Sequence, residues 1–404
     1  MIALCMAMAA MSIDLLLPAF PEMREEFGLE PGAPGISRVI TAFFVGIGLG
    51  QLVYGPLSDR FGRKRVLYGG IAVYVVGAVA STRAQSLDAF VIWRVVWGFG
   101  AACPRSLALA IVRDTFEGDR MARAMAHIMA IFILVPIVAP SVGSVLLALG
   151  DWHLTLWVPV VVAGILVVWT ALRLPETLPV ERRRSIGPRS LLDAAGVVVR
   201  NRRTMAFGAA STFLFGIMTA YVGSTQVIVD EVFGQGRWFP VIFGVLAVGL
   251  ALGSLLSGRL VVRIGLGRLV RFGAVYALAT TALLALVGVA SGGQPPLWLF
   301  LAASALMLPS VTALVPNTNT AAMAPLGAVA GMGAAIIGTI STIGGALLGS
   351  IIDNAYDGSV RPFTIGALTF AVAAAAAILL AGRTDEAVGL DEIVDGDAAP
   401  ALVD

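Results

Sequence analysis

Apolar residues run through this chain in long blocks, and charged residues or Gly/Pro-rich breaks divide one block from the next. Crossing a bilayer as helix takes about 20 mostly apolar residues. Stretches of that kind fall at 1–20, 36–57, 65–82, 86–112, 121–149, 152–174, 204–228, 238–262, 266–290, 296–317, 325–352 and 361–382. The pattern predicts an all-α membrane protein with twelve transmembrane helices. If the first begins in the cytoplasm, the breaks at 58–64, 113–120, 175–203 and 258–268 share that side. They hold most of the basic residues, among them Arg60, Arg63, Lys64, Arg113, Arg120, Arg182, Arg183, Arg184, Arg189 and Arg263. The other side holds little beyond Arg24, Arg38, Arg83, Arg237 and Arg361. By the positive-inside rule both termini are expected in the cytoplasm, with the chain in the cytoplasmic (inner) membrane.

An internal repeat fits the same plan. GPLSDRFGRKR at 55–65 aligns without gaps to GRLVVRIGLGR at 258–268, matching Gly55 with Gly258, Arg60 with Arg263 and Gly62 with Gly265. The offset is about half the chain, with six helices in each period, so the halves share one topology. The expected organisation is a six-helix bundle over 1–174, a cytoplasmic linker over 175–203, a second bundle over 204–382 and an acidic, disordered tail over 383–404. Within the linker, the stretch 189–200 reads either as plain connection or as an amphipathic segment on the inner leaflet.

Composition narrows the function. Of 404 residues 58% are hydrophobic and only 13% charged, with a mean hydropathy of +0.91, which excludes a sizeable soluble domain. The net charge of +2 reflects loop asymmetry and gives no reason to expect nucleic acid. Cys5 and Cys103 both lie in apolar stretches, so no disulfide is expected. The opening residues lack a basic leader and a cleavage site, so no cleavable signal peptide is expected. There is no phosphate-binding GxxxxGK[ST] segment and no nucleophile–base constellation. His127 and His153 have no metal-ligand partner at suitable spacing. The chain therefore reads as a non-enzyme without cofactor or metal.

Charges inside a spanning helix cost roughly 2.5–3.5 kcal/mol each at mid-depth and persist where they face a polar pathway or a partner. Asp14, Arg94 and Arg105 stand out. Helix rise puts Asp14 about 9 Å and Arg94 about 12 Å below the outer boundary, at matching depth. A site that alternates between dry and charged surroundings can load and release a proton; a permanent Asp14–Arg94 ion pair locking two helices is the other reading. Arg105 follows Arg94 by about three helical turns with about 20° of rotation, so both are expected to face one way. It reads equally as a substrate contact and as a residue snorkelling to the interface. The 55–65 stretch, taken as a loop, sets Asp59 in a basic cluster with Gly55, Arg60, Gly62, Arg63 and Lys64, a charged knot able to hold a gate. In the fifth stretch Pro136, Pro140 and Gly143 share a face that permits a kink and close packing.

These residues resemble the major facilitator superfamily, and within it the bicyclomycin/chloramphenicol-resistance (Bcr/CflA) group of drug:proton antiporters. GPLSDRFGRKRVL at 55–67 is similar to the superfamily's signature after its second helix. The closer resemblance rests on SIDLLLPAFP at 12–21, RVVWGFGAA at 94–102, AIVRD at 110–114, PIVAPSVG at 136–143, LPETL at 174–178 and the pair Pro316–Asn317. It implies the major facilitator fold, twelve helices in two pseudo-symmetric six-helix bundles, and proton-driven export by alternating access. Asp14 and Arg94 match the family's proton-coupling pair, Asp59 and Arg63 its gating segment, and Pro136, Pro140 and Gly143 its antiport motif. Trp97, Arg105, Pro140 and Asn317 are the candidates for the substrate cavity. Trp97 stands where the family often has a polar residue, and Ser144 where it usually has a second Gly. The expected partners are a small organic molecule, which the resemblance implies is a drug, with protons and the bilayer, around a monomer. Export of an amino acid, sugar or other metabolite by the same mechanism, and a non-transporting membrane sensor, are the alternatives.

Overall fold

The structure is a computed structural model that describes residues 1–30, 34–183 and 195–382. The expected acidic tail, and the linker from 184 to 194, lie outside the described residues. Among those described, twelve helices are long and apolar enough to span a membrane. They are α1 (Ile2–Glu26), α2 (Gly35–Phe61), α3 (Arg63–Ser81), α4 (Leu87–Thr115), α5 (Arg123–Leu149), α6 (His153–Arg173), α7 (Arg202–Val232), α8 (Gly236–Ile264), α9 (Leu266–Ala290), α10 (Leu297–Gly327), α11 (Ala330–Asn354) and α12 (Arg361–Leu380).

Several helices outrun their apolar stretches, because hydropathy reports the thickness of the bilayer and not the end of a hydrogen-bond ladder. The 55–65 stretch is the main correction. It is not a loop: Gly55 to Phe61 are the last turns of α2, Arg63 already begins α3, and the connection is Gly62 alone. Its φ of 93° belongs to the region glycine enters without penalty. The repeat partner Gly265 joins α8 to α9 in the same way, with φ 80°. α1 is interrupted in its C-terminal half, where a 3-10 turn at Leu17–Ala19 containing Pro18 separates two α-helical pieces.

Within the first half, α1 packs on α4, α5 and α6, α2 on α3 and α4, and α3 on α4 and α6. Each of these pairings recurs six helices later, from α7 with α10, α11 and α12 to α9 with α10 and α12. The chain is thus two pseudo-symmetric six-helix bundles, with the repeat visible in packing as well as in sequence. The bundles meet through α2 with α11 and α5 with α8, contacts that the same six-helix shift exchanges.

We call the end with the Gly62 and Gly265 turns the basic end and the opposite one the far end. The bundles touch along the far half. There the Arg24 and Glu231 side chains pair α1 with α7, and Thr339 donates to the Gly48 carbonyl at 2.8 Å between α11 and α2. Gln51 on α2 donates to the Thr342 hydroxyl on α11 at 3.4 Å.

Candidate functional site

A cavity of about 320 Å³ lies between the bundles, within the size range of small-molecule sites. α1, α2, α4, α5, α7, α8 and α10 line it. Its walls are mostly apolar, with Phe44, Phe132, Phe215, Phe243, Met129 and Met218 among them. It runs from Asp14, Val222 and Phe243 toward the far end to Arg105, Ser254 and Pro316 toward the basic end. Asp14 and Arg105 are the only charged lining residues among those described. Neither side chain has a hydrogen-bond or ion-pair partner among the described residues.

Arg94 lies behind the cavity wall, fully buried. It does not pair with Asp14. Its Nη1 donates to the Ser12 carbonyl at 2.9 Å and its Nε to the Val39 carbonyl at 3.3 Å. The guanidinium stands 4.3 Å from the Phe43 ring centre and 4.9 Å from that of Trp97. Such stacking compensates in part for lost hydration. Ser12 also shares a 2.6 Å hydrogen bond with the Tyr74 hydroxyl, so α1, α2, α3 and α4 converge on this cluster.

Three cavity candidates lie elsewhere. Trp97 is fully buried and packs edge-on to Phe43 and Tyr74 inside the first bundle; it follows Arg94 by less than one helical turn and shares its inward face. Asn317 turns to α8, donating to the Ser257 hydroxyl at 2.6 Å. Pro140 is buried in the helix packing, whereas Pro136, expected only as a packing residue, lines the cavity. A Cβ at Gly143 would fall 2.4 Å from the Leu15 carbonyl oxygen, so α5 approaches α1 beside its interruption as only glycine permits. Arg94 and Arg105 do not share the cavity: Arg94 is buried inside the first bundle, whereas Arg105 lines the cavity wall.

The charged cluster at the basic end is a knot with two members the sequence reading missed. Buried Arg63 donates to Asp59 at 2.6 Å, to the Ser58 hydroxyl at 2.6 Å and to Asp114 at the end of α4 at 2.9 Å. Glu176, just beyond α6, accepts the backbone N–H groups of Arg63 at 2.8 Å and Lys64 at 3.2 Å. It thereby caps α3, whose first amides have no intrahelical acceptor. Lys64 Nζ bonds the Leu174 carbonyl at 2.8 Å. Arg60 points outward over Phe61, and Gly55 has open space beside it.

A family model described as the Major Facilitator Superfamily matches residues 2–349. The chain belongs to this superfamily. A superfamily transporter of Bacillus subtilis (strain 168) named YdgK, itself uncharacterized, is 29% identical over 94% of this chain and 93% of its own. A bicyclomycin resistance protein homolog of Haemophilus influenzae is 26% identical over 88% of this chain and 89% of its own. The solved structure of a D-xylose-proton symporter superposes with a TM-score of 0.72 at 14% identity, covering 95% of this chain and 96% of the other. The resemblance to the bicyclomycin/chloramphenicol-resistance group therefore holds over most of the chain. As a superfamily transporter this is a multi-pass membrane protein, and its cavity sits between the two bundles.

Proposed function

We propose that this superfamily member is a proton-coupled antiporter that exports small, largely apolar organic molecules, drugs among them, from the cytoplasm. The observation that carries the reading is the Asp14 carboxyl, without a hydrogen-bond or ion-pair partner among the described residues, in an apolar cavity between two bundles. The concentration of arginines at the basic end supports the reading that this end, and both termini, face the cytoplasm of an inner-membrane protein. Residues 1–174 and 204–382 act as the two moving bundles of a monomer, joined by 175–203. The bicyclomycin-resistance name of one relative supports drugs as cargo.

In this state cytoplasmic substrate enters between the basic ends and settles against the aromatic walls. Rocking of the bundles then closes the basic end, parts the Arg24–Glu231 contact and opens the cavity outward. A proton from outside occupies Asp14 as substrate leaves, and is released to the cytoplasm after the return. No cofactor is needed: one charge moving down the membrane potential yields about 2.3 kcal/mol per 100 mV. Arg94 holds the α1 segment that carries Asp14 through the Ser12 carbonyl.

The test is proton movement in everted vesicles. Chloramphenicol or a related drug should release protons from the acidified lumen of vesicles carrying the wild type, and Asp14→Asn should abolish the release. Silence toward every drug by correctly inserted protein would transfer the reading to metabolite export. Release that survives in Asp14→Asn would remove Asp14 as the proton site.

A further inference from the structure

Most of the cavity wall is hydrocarbon or aromatic ring, and its two charges have opposite sign and no hydrogen-bond or ion-pair partner among the described residues. Asp14 lies near the level of Arg94, whose Nη1 is bonded to the carbonyl of Ser12 two residues before it. Arg105 is eleven residues further along α4, about 16 Å of helical rise toward the basic end. Helical side chains lean toward the N-terminus of their own helix, which for α4 is the far end, so Arg105 leans back toward Asp14. No ion pair joins the carboxyl and the guanidinium among the described residues, and the two stand apart along the cavity. Phe44, Phe132, Phe215 and Phe243 line the same space.

Resting on the exporter reading, we infer that the cavity selects elongated zwitterions, binding a cationic amine at Asp14 and a carboxylate at Arg105 with an apolar, aromatic body between. A lone organic anion would meet the ionised Asp14 as an unpaired like charge, and a lone cation would meet Arg105 in the same way. A zwitterion of matching length satisfies both groups, each of which otherwise lies in an apolar surround without a partner. The layout also supplies the exchange. The substrate ammonium and a proton compete for the Asp14 carboxylate, so one leaves as the other binds, whereas the guanidinium stays charged throughout and fixes orientation. The other ionisable groups around Asp14 are Arg94 behind it on α4, Tyr74 on α3, bonded to Ser12, and Tyr221 on α7. Among the described residues α5 contributes Met129, Phe132, Ile133 and Pro136 to the cavity wall, none of them ionisable.

Quinolones separate the contributions, since norfloxacin is a zwitterion and nalidixic acid carries the same kind of acid without the basic amine. Binding of each to full-length protein in lipid nanodiscs is followed by ligand fluorescence at acidic and mildly alkaline pH, with tetraphenylphosphonium as a cation and chloramphenicol as a neutral control. Norfloxacin is expected to bind the wild type at least roughly tenfold more tightly than nalidixate or tetraphenylphosphonium, the size of one charge-assisted contact. Its affinity rises with pH in the wild type, and in Asp14→Asn the rise shrinks to that shown by nalidixate, whose carboxyl ionises in the same range. Arg105→Gln weakens norfloxacin by a similar factor and Arg105→Lys restores part of the loss, with thermal unfolding reporting that each variant is folded. Equal norfloxacin binding by the wild type and folded Arg105→Gln overturns the inference, as does a preference for either singly charged probe. The two readings fail separately. Binding as expected without norfloxacin-driven proton release in vesicles sinks the exporter and leaves the zwitterion site, whereas proton-coupled chloramphenicol export without preferential norfloxacin binding sinks the zwitterion site alone.

Discussion

Arg94 carries its charge into the first bundle with no carboxylate beside it among the described residues; what holds it is shape. Its flat guanidinium lies against Phe43 and Trp97 while two of its nitrogens reach carbonyls on different helices. An ammonium on a flexible stem cannot form that arrangement, although it carries the same charge. Arg94→Lys is therefore expected to destabilise the protein by about 2 kcal/mol, the scale of a lost charged hydrogen bond, and to slow drug-driven proton release in vesicles. Thermal unfolding beside the vesicle assay checks this, and a Lys variant with wild-type stability and rate would mean that charge alone suffices. Intramembrane charge made Arg94, Asp14 and Arg105 legible in the sequence. The division of labour among them was not, because spacing along one helix does not say whether a side chain meets the cavity or the neighbouring helices, and Arg94 turns to carbonyls of α1 and α2 while Arg105 lines the cavity. Trp97 was misread for a related reason: proximity to Arg94 indicates a shared face but not whether that face turns to the cavity or to α2 and α3.

At the scale of elements, the bilayer-facing pattern and the repeat gave away the twelve helices and the two halves, while junctions between helices stayed hidden. Arg63 gathers Asp59 from α2 and Asp114 from α4, and Glu176 after α6 caps the start of α3. No spacing connects positions 59, 63, 114 and 176; only the packing of α3 between α4 and α6 brings them together. Glu176→Gln keeps the shape but gives up the negative charge at the start of α3, at an expected cost of about 0.5–1 kcal/mol. A lowered unfolding midpoint checks this, and the loss should shrink in high salt where that interaction is screened. Where α5 meets α1, Gly143→Ala forces a methyl to within 2.4 Å of the Leu15 carbonyl unless a helix moves. That substitution should cost about 1–3 kcal/mol. Unfolding at the wild-type temperature would show that the interrupted end of α1 yields without strain.

For the whole molecule, alternating access asks that the contacts closing one end be strong enough to hold and weak enough to part. The far-end seam has that composition. It joins the bundles through polar groups, with the Arg24–Glu231 pair between α1 and α7 as its charged member, and Arg24, Ser37, Val227 and Asp353 line a small cleft beside it. The two charged side chains are only 8% and 24% exposed, so removing one partner leaves the other poorly hydrated, whereas removing both does not. Glu231→Gln should therefore favour the outward-open state by about 1–2 kcal/mol, roughly a tenfold gain in its population. A single cysteine at Val227, in a background with Cys5 and Cys103 replaced, reports that state through its labelling by a membrane-impermeant maleimide applied from outside. Labelling should quicken about tenfold in Glu231→Gln and less in Arg24→Met combined with Glu231→Met. A single variant labelled at the wild-type rate would mean that the apolar and hydroxyl contacts of the seam hold the far end closed without the ion pair.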